Sequence, residues 1–226
     1  MLIGGLQKLT LIDYPGKVAC TLFTYGCNFR CPFCHNAVLV NEKPVLIPEE
    51  EFFAFLKKRQ GLLDGVGITG GEPLLHKDMP EFLQKIKDIG YAIKLDTNGS
   101  FPERLREVVK KNLVDMVAMD IKNEKARYAE TAGCDVDMGK IEESVAFLME
   151  NRVDYEFRTT IVKEFHDEKA IRGIGEWIRG AEKYFLQNFV DSGHLLGKAE
   201  GVDEQQMRRF TEIAKEYVPN AFVRGI

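Results

Sequence analysis

The stretch GVGITGGEPLLHKDMPEFLQKIKDIGYAIKLDTNG, residues 65–99, decides the fold. Its first five residues are a short apolar run broken by a Gly-Gly turn. DMPEFLQKIKDIG (78–90) repeats its apolar positions at helical spacing, with Asp78 placed to precede the helix and Gly90 to end it. YAIKLDT (91–97) is a second β-branched and apolar run. Strand, helix and strand within 35 residues make a crossover unit, the connection that parallel strands require. GVGIT lacks polar alternation, as expected of a strand covered on both faces.

The same rhythm extends in both directions. KVACTLFTY (17–25), VDMVAMDIK (114–122), VDYEFRTTIV (153–162) and YFLQNFV (184–190) read as strands. PEEEFFAFLKKRQG (48–61), PERLREVVKKN (102–112), MGKIEESVAFLMEN (138–151), DEKAIRGIGEWIRG (167–180) and DEQQMRRFTEIAKEYV (203–218) read as helices. Six strands with following helices fall short of a closed eightfold barrel. The expected fold is α/β, a partial open (β/α)6 barrel of TIM type or a doubly wound sheet, with functional residues at the C-terminal strand ends. The chain is expected to form one domain over 1–226: an edge segment at 1–16 that adds a strand or hairpin, a core over about 17–190, and a helical segment at 191–226.

Net charge of −4 gives no electrostatic footprint for nucleic acid or anionic membrane, and LKKR (56–59) and VKKN (109–112) read as solvated helix faces. The first 17 residues lack a basic-then-apolar leader, and no apolar run is long enough to span a bilayer. A cytoplasmic protein with reduced thiols is expected, so clustered cysteines point to metal or catalysis rather than disulfides.

Three of the five cysteines fall at Cys27, Cys31 and Cys34, directly after the first strand of the core, and His35 follows. CPFCH alone fits haem attachment or a redox dithiol, but both leave Cys27 idle. A zinc site using His35 is strained, because adjacent Cys34 and His35 rarely face one ion. The remaining reading is a [4Fe–4S] cluster held by three thiolates, whose fourth iron is open to another ligand. The other strand ends carry TGGEP (69–73), DTNG (96–99) and DIK (120–122); Arg158 lies in the fifth strand and His194 beyond the sixth. Singly these are turns and an ion pair; together they describe a polar rim around one mouth. Cys20 reads as a core residue, Cys134 as incidental, His76 and His166 as surface loop residues, and Trp177 as helix packing.

CNFRCPFC (27–34) with TGGEP resembles the radical S-adenosylmethionine (SAM) enzymes. CHN (34–36), LDTNG (95–99) and MDIK (119–122) are similar to their glycyl-radical-enzyme activating branch. KLTLIDYPGKVACTLFTYGCNFRCPFCHN (8–36) resembles the activators of anaerobic ribonucleoside-triphosphate reductase. The likeness spans about residues 5–190. It implies that Cys27, Cys31 and Cys34 ligate three irons and that SAM chelates the fourth through its amine and carboxylate. Phe33 would contact the adenine through its backbone. Gly70 and Gly71 would admit the methionyl amine, with Glu72 as its acceptor. Asp96, Thr97, Asn98, Asp120 and Lys122 would face the cofactor, Lys122 and Arg158 as carboxylate partners, with Asp96 and Asp120 available to a monovalent cation. His194 resembles a ribose-contacting histidine.

The likeness further implies reductive cleavage of SAM, then hydrogen abstraction from a glycine of a partner glycyl radical enzyme. With no second cysteine cluster, the electron would come from an external donor such as flavodoxin or ferredoxin. The alternatives are a pyruvate formate-lyase-like partner, a small-molecule enzyme resembling the 7-deazapurine precursor synthases, and a non-enzymatic zinc-site interaction protein.

Overall fold

A computed structural model describes every residue except Glu42, Lys43, Ser192, His194 and Ile226. Eight strands form one sheet in chain order: β1 (Ile3–Thr10), β2 (Ala19–Thr24), β3 (Gly65–Gly70), β4 (Ala92–Thr97), β5 (Met116–Asp120), β6 (Asp154–Ile161), β7 (Tyr184–Asn188) and β8 (Ala221–Arg224). β1 runs antiparallel to β2, and every later pair is parallel. The helices are α1 (Ala37–Asn41), α2 (Glu49–Lys58), α3 (Met79–Ile89), α4 (Pro102–Lys110), α5 (Tyr128–Ala132), α6 (Met138–Leu148), α7 (Glu168–Trp177) and α8 (Glu204–Lys215). β1 and β8 each pair with one neighbouring strand, so the sheet curves without closing.

The expected edge strand is present as β1. The parallel strands number seven rather than six, because residues 221–224, within a segment read as helical, add β8 beside β7. Four residues are too few to show a period. The reading of 65–99 holds closely: β3 and β4 pair in parallel from Gly65↔Ala92 to Ile68↔Leu95. Gly90 ends α3 at φ +102°, a left-handed turn in which its N–H donates to the Lys87 carbonyl at 2.8 Å. Asp78 precedes α3 but does not cap it; its carboxylate pairs with the Met1 ammonium at 2.6 Å.

Strand alternation explains the interior. On β4–β6 the odd-numbered residues Ile93, Leu95, Val117, Met119, Tyr155 and Phe157 are buried beneath the helices. The even-numbered Lys94, Asp96, Ala118, Asp120, Glu156 and Arg158 face the barrel axis. Both faces are therefore covered, and one of them carries charge. Among the described residues, no helix is long and apolar enough to cross a membrane.

Candidate active site

The loop after β2 carries the three cysteines over the C-terminal mouth of the sheet. It is held from several sides: Arg30 N–H donates to Ala132 O at 2.9 Å, and its guanidinium donates to the carbonyls of Cys27 (2.6 Å) and Phe29 (2.8 Å). Cys27, Cys31 and Cys34 line one cavity of about 280 Å3 together with Phe33, Gly70, Gly71, Asp96, Thr97, Asn98, Asp120, Lys122 and Arg158. The strand exits thus bring together nearly all the expected site residues. Burial pushes the Cys27 thiol up to about 12 and the Cys31 thiol to about 11. Both thiols are protonated in the metal-free chain, so iron must displace protons to bind them.

The two glycines have a backbone reason. Gly70 sits at φ +107°, and a Cβ there would lie 2.4 Å from Thr24 N. A Cβ on Gly71 would lie 1.9 Å from Gly26 O. What the Gly-Gly pair admits is the cysteine loop itself: Gly71 N–H donates to Thr24 O and Glu72 N–H to Gly26 O, each at 2.9 Å. Asn36 braces the same turn, its side-chain amide donating to Gly70 O at 2.9 Å.

Glu72 is 1% exposed and does not line the cavity. Its Oε1 accepts from Leu74 N–H at 3.0 Å and Thr97 Oγ1 at 2.8 Å, and its Oε2 from Asn98 N–H at 2.7 Å. The carboxylate therefore ties the β3 exit to the β4 exit. Burial raises its pKa to about 7, against the lowering effect of these three bonds. Among the described residues no lysine or arginine pairs with it. Asn98 in turn donates to Asn28 Oδ1 at 3.0 Å and accepts from Ser100, whose hydroxyl accepts from Asn28 at 2.9 Å. Sequence reasoning missed Asn28 and Ser100, which join the cysteine loop to DTNG; the position of Asn28 inside the cysteine run was the available signal.

Beneath the mouth lies a charged column. Arg158 donates from Nε to Asp120 Oδ1 and from Nη1 to Asp96 Oδ2, each at 3.0 Å. Lys122 donates to Asp120 Oδ2, also at 3.0 Å, and Lys94 donates to Asp96 Oδ1. Every oxygen of the two carboxylates has a cationic partner from this chain. Burial opposes ionisation of Asp96 and Asp120, but Arg158 with Lys94 or Lys122 outweighs it and holds both below the usual carboxylate range. Arg158 and Lys122, expected as partners of a ligand carboxylate, are engaged with protein carboxylates. Lys94 was missed, although its place two residues before Asp96 puts both on the same strand face.

His35 also lines this cavity, but its ring stacks on Phe189 (centroids 5.1 Å apart) and Nε2 meets Val190 O at 2.9 Å, docking the loop against the β7 exit. Among the described residues no three His, Cys, Asp or Glu side chains converge on one metal-ion position. A cluster does not require such convergence, because each thiolate takes a different iron. Cys134, read as incidental, lies against the same loop, its thiol 3.6 Å from Asn28 O. Cys20 is a fully buried core residue, and Trp177 packs edge-on to Tyr128. His194 lies outside the described residues.

His166 corrects the surface-loop expectation. It is 2% exposed, with Nδ1 bonded to Val162 and Nε2 to the Lys122 carbonyl at 2.9 Å. The chain after β6 turns back at Val162, whose carbonyl accepts from the N–H groups of Phe165 and His166, so a polar loop residue becomes a buried brace for the β5 exit. Burial depresses its pKa to about 4 from the ordinary 6.5. The folded chain keeps it neutral while the unfolded chain takes up a proton below about 6.5, so its contribution is lost as pH falls. Chemical denaturation should show about 2 kcal/mol less stability at about pH 5 than at about pH 7 from this group, and His166→Asn should flatten that slope.

Residues 21–170 match the family model described as the Radical SAM superfamily. A protein of Methanocaldococcus jannaschii, provisionally named a glycyl-radical enzyme activating enzyme, is 34% identical over 233 residues, covering 100% of this chain and 96% of its own. The GTP 3′,8-cyclase of Campylobacter jejuni is 28% identical over 196 residues, covering 81% of this chain and 59% of its own. A domain of the pyruvate-formate lyase-activating enzyme from Bacteroides vulgatus superposes with a TM-score of 0.59 at 24% identity, covering 71% of this chain and 99% of that one. The chain belongs to the radical SAM superfamily and, within it, to the glycyl-radical enzyme activating enzymes.

The family implies a [4Fe–4S] cluster and SAM, and the residues present fit both. Three soft thiols from one loop face one cavity, a donor set suited to iron–sulfur rather than to hard cations. Beside them Thr97 and Asn98 give the cavity a polar wall, and Lys122 at the head of the column below suits a carboxylate.

Proposed function

We propose that the chain, acting as one domain over 1–226, activates a partner glycyl radical enzyme by abstracting hydrogen from one of its glycines. Cys27, Cys31 and Cys34 would hold the cluster. Cluster and SAM, when bound, supply reductive sulfonium cleavage and hydrogen-atom abstraction. The protein's part is placement. Glu72 would serve the methionyl ammonium from behind the cavity wall, by holding Thr97 Oγ1 and Asn98 N–H in place and by the charge of its carboxylate. Lys122 would share its charge between Asp120 and the methionyl carboxylate. Phe33, Gly70, Gly71, Asp96, Thr97 and Asn98 would wall the remaining cofactor, with Arg158 holding the β4, β5 and β6 exits in fixed relation. His194 would contact the ribose.

The observation that carries a protein substrate is the unclosed sheet. Between the edges β1 and β8 the barrel interior is open along its side, giving a loop of another chain a route to the mouth. The stretch 8–36 favours anaerobic ribonucleoside-triphosphate reductase as the partner. The setting would be cytoplasmic, with flavodoxin or ferredoxin as electron donor and neither nucleic acid nor membrane as partner.

The test is anaerobic co-incubation of reconstituted protein, SAM and reductant with that reductase, followed by EPR. A glycyl radical doublet accompanied by 5′-deoxyadenosine supports the proposal. A doublet only on a pyruvate formate-lyase-like enzyme reassigns the partner. A modified small molecule without any glycyl radical overturns the proposal.

A further inference from the structure

We infer that Lys94 is a tethered counter-cation: its ammonium takes, on Asp96, the place that a monovalent metal ion would otherwise occupy, so the site needs no added cation. The lysine sits mid-strand on the interior face of β4, level with Gly67 on β3 and Met116 on β5. Its side chain is 3% exposed and does not line the cavity, so it acts on an occupant only through Asp96. A buried lysine is costly unless paired, and Asp96 Oδ1 is the partner it has among the described residues. One strand layer above, the interior residue beside Asp96 is Ala118. Neither that alanine nor the level Gly67 sets a large side chain against the aliphatic stem.

Charge accounting gives the lysine its consequence. Lys94, Lys122 and Arg158 face Asp96 and Asp120, so the column itself carries one more positive charge than negative, with Glu72 the nearby acid outside it at the β3 exit. The next acid down the axis, Glu156, is held bidentately by Arg224 at 2.9 and 3.0 Å and does not neutralise it. Without Lys94 the column is neutral, and Asp96 Oδ1 lies beneath the cavity with no donor. An unpaired buried carboxylate oxygen of this kind attracts a small cation. The surplus charge is what an anionic group in the cavity would feel; that part of the inference rests on the proposed binding of SAM.

The test exploits rescue. Lys94→Met keeps the stem and removes the charge. Thermal unfolding of the metal-free chain is compared in potassium, sodium and choline chloride at equal ionic strength, and SAM affinity is read by equilibrium dialysis on reconstituted protein. The wild type should melt at one temperature in all three salts. The variant should melt lower in choline, recover part of the loss in potassium or sodium, and bind SAM about tenfold more weakly in choline than in potassium, a difference of about 1.4 kcal/mol. A variant equally destabilised in every salt overturns the inference. So does a wild type whose melting point depends on potassium, a measurement that stands even if the variant fails to fold. Wild type that binds no SAM in any salt, while the melting pattern holds, sinks the proposed function and leaves Lys94 as counter-cation at Asp96.

Discussion

Replacing Cys27, Cys31 or Cys34 singly with alanine is expected to abolish SAM cleavage while leaving the chain folded. Each thiol faces the shared cavity, so the substitution leaves the sheet and its helices untouched. A supporting partner behind a metal ligand is worth roughly 10–100-fold in metal affinity or activity, and loss of a ligand itself must exceed that. Three thiolates are already one fewer than the four that usually hold such a cluster. After anaerobic reconstitution, the variants should lose iron-dependent visible absorption and form no 5′-deoxyadenosine above background. Cys20→Ala and Cys134→Ser provide the contrast, because Cys20 is sealed in the core and Cys134 contacts the loop through Asn28 O. Both should keep iron. His35→Ala should keep it too, since the ring docks on Phe189. Retention of cluster absorption and cleavage in any of the three single variants would remove that cysteine from the ligand set.

The contrast among these cysteines also marks what the sequence made readable. Spacing grouped the three thiols that line one cavity because one short loop supplies them all, and turn and strand patterns placed TGGEP, DTNG and DIK at successive strand exits. Short-range signals of this kind survive in one dimension. What was hidden depends on pairing across the sheet. The sequence offers no reason for Glu72 to turn toward Thr97 and Asn98, or for Arg158 to bridge carboxylates 62 and 38 positions away. His166 looked exposed because its neighbours are polar, yet its two nitrogens find backbone partners at Val162 and Lys122. β8 was missed for the same reason: four residues become a strand only because β7 lies beside them.

Arg158→Met is expected to cost about 3 kcal/mol at neutral pH, the lower end of the roughly 3–5 kcal/mol that follows breaking a buried ion pair. The lower end applies because Asp120 keeps 30% of its side-chain exposure, while Asp96 keeps 18%. The loss comes from the carboxylates rather than from the arginine. Methionine fills the strand position acceptably, but Asp96 then relies on Lys94 and Asp120 on Lys122, with the two acids repelling each other across the vacated space. The sign of the pH dependence separates this from a packing defect. In the wild type both acids are held below their ordinary values, so their stabilisation is present above about pH 4 and disappears only as pH falls through those lowered values. Without Arg158, burial prevails and the pKa values rise. The variant then loses stability as pH climbs through the raised values. The gap between variant and wild type should therefore be widest near neutrality and shrink toward about pH 4, as measured by denaturant midpoints at several pH values. A gap that stays constant across that range would mean that Arg158 contributes packing, and that the column of charge beneath the mouth is not what holds β4, β5 and β6 together.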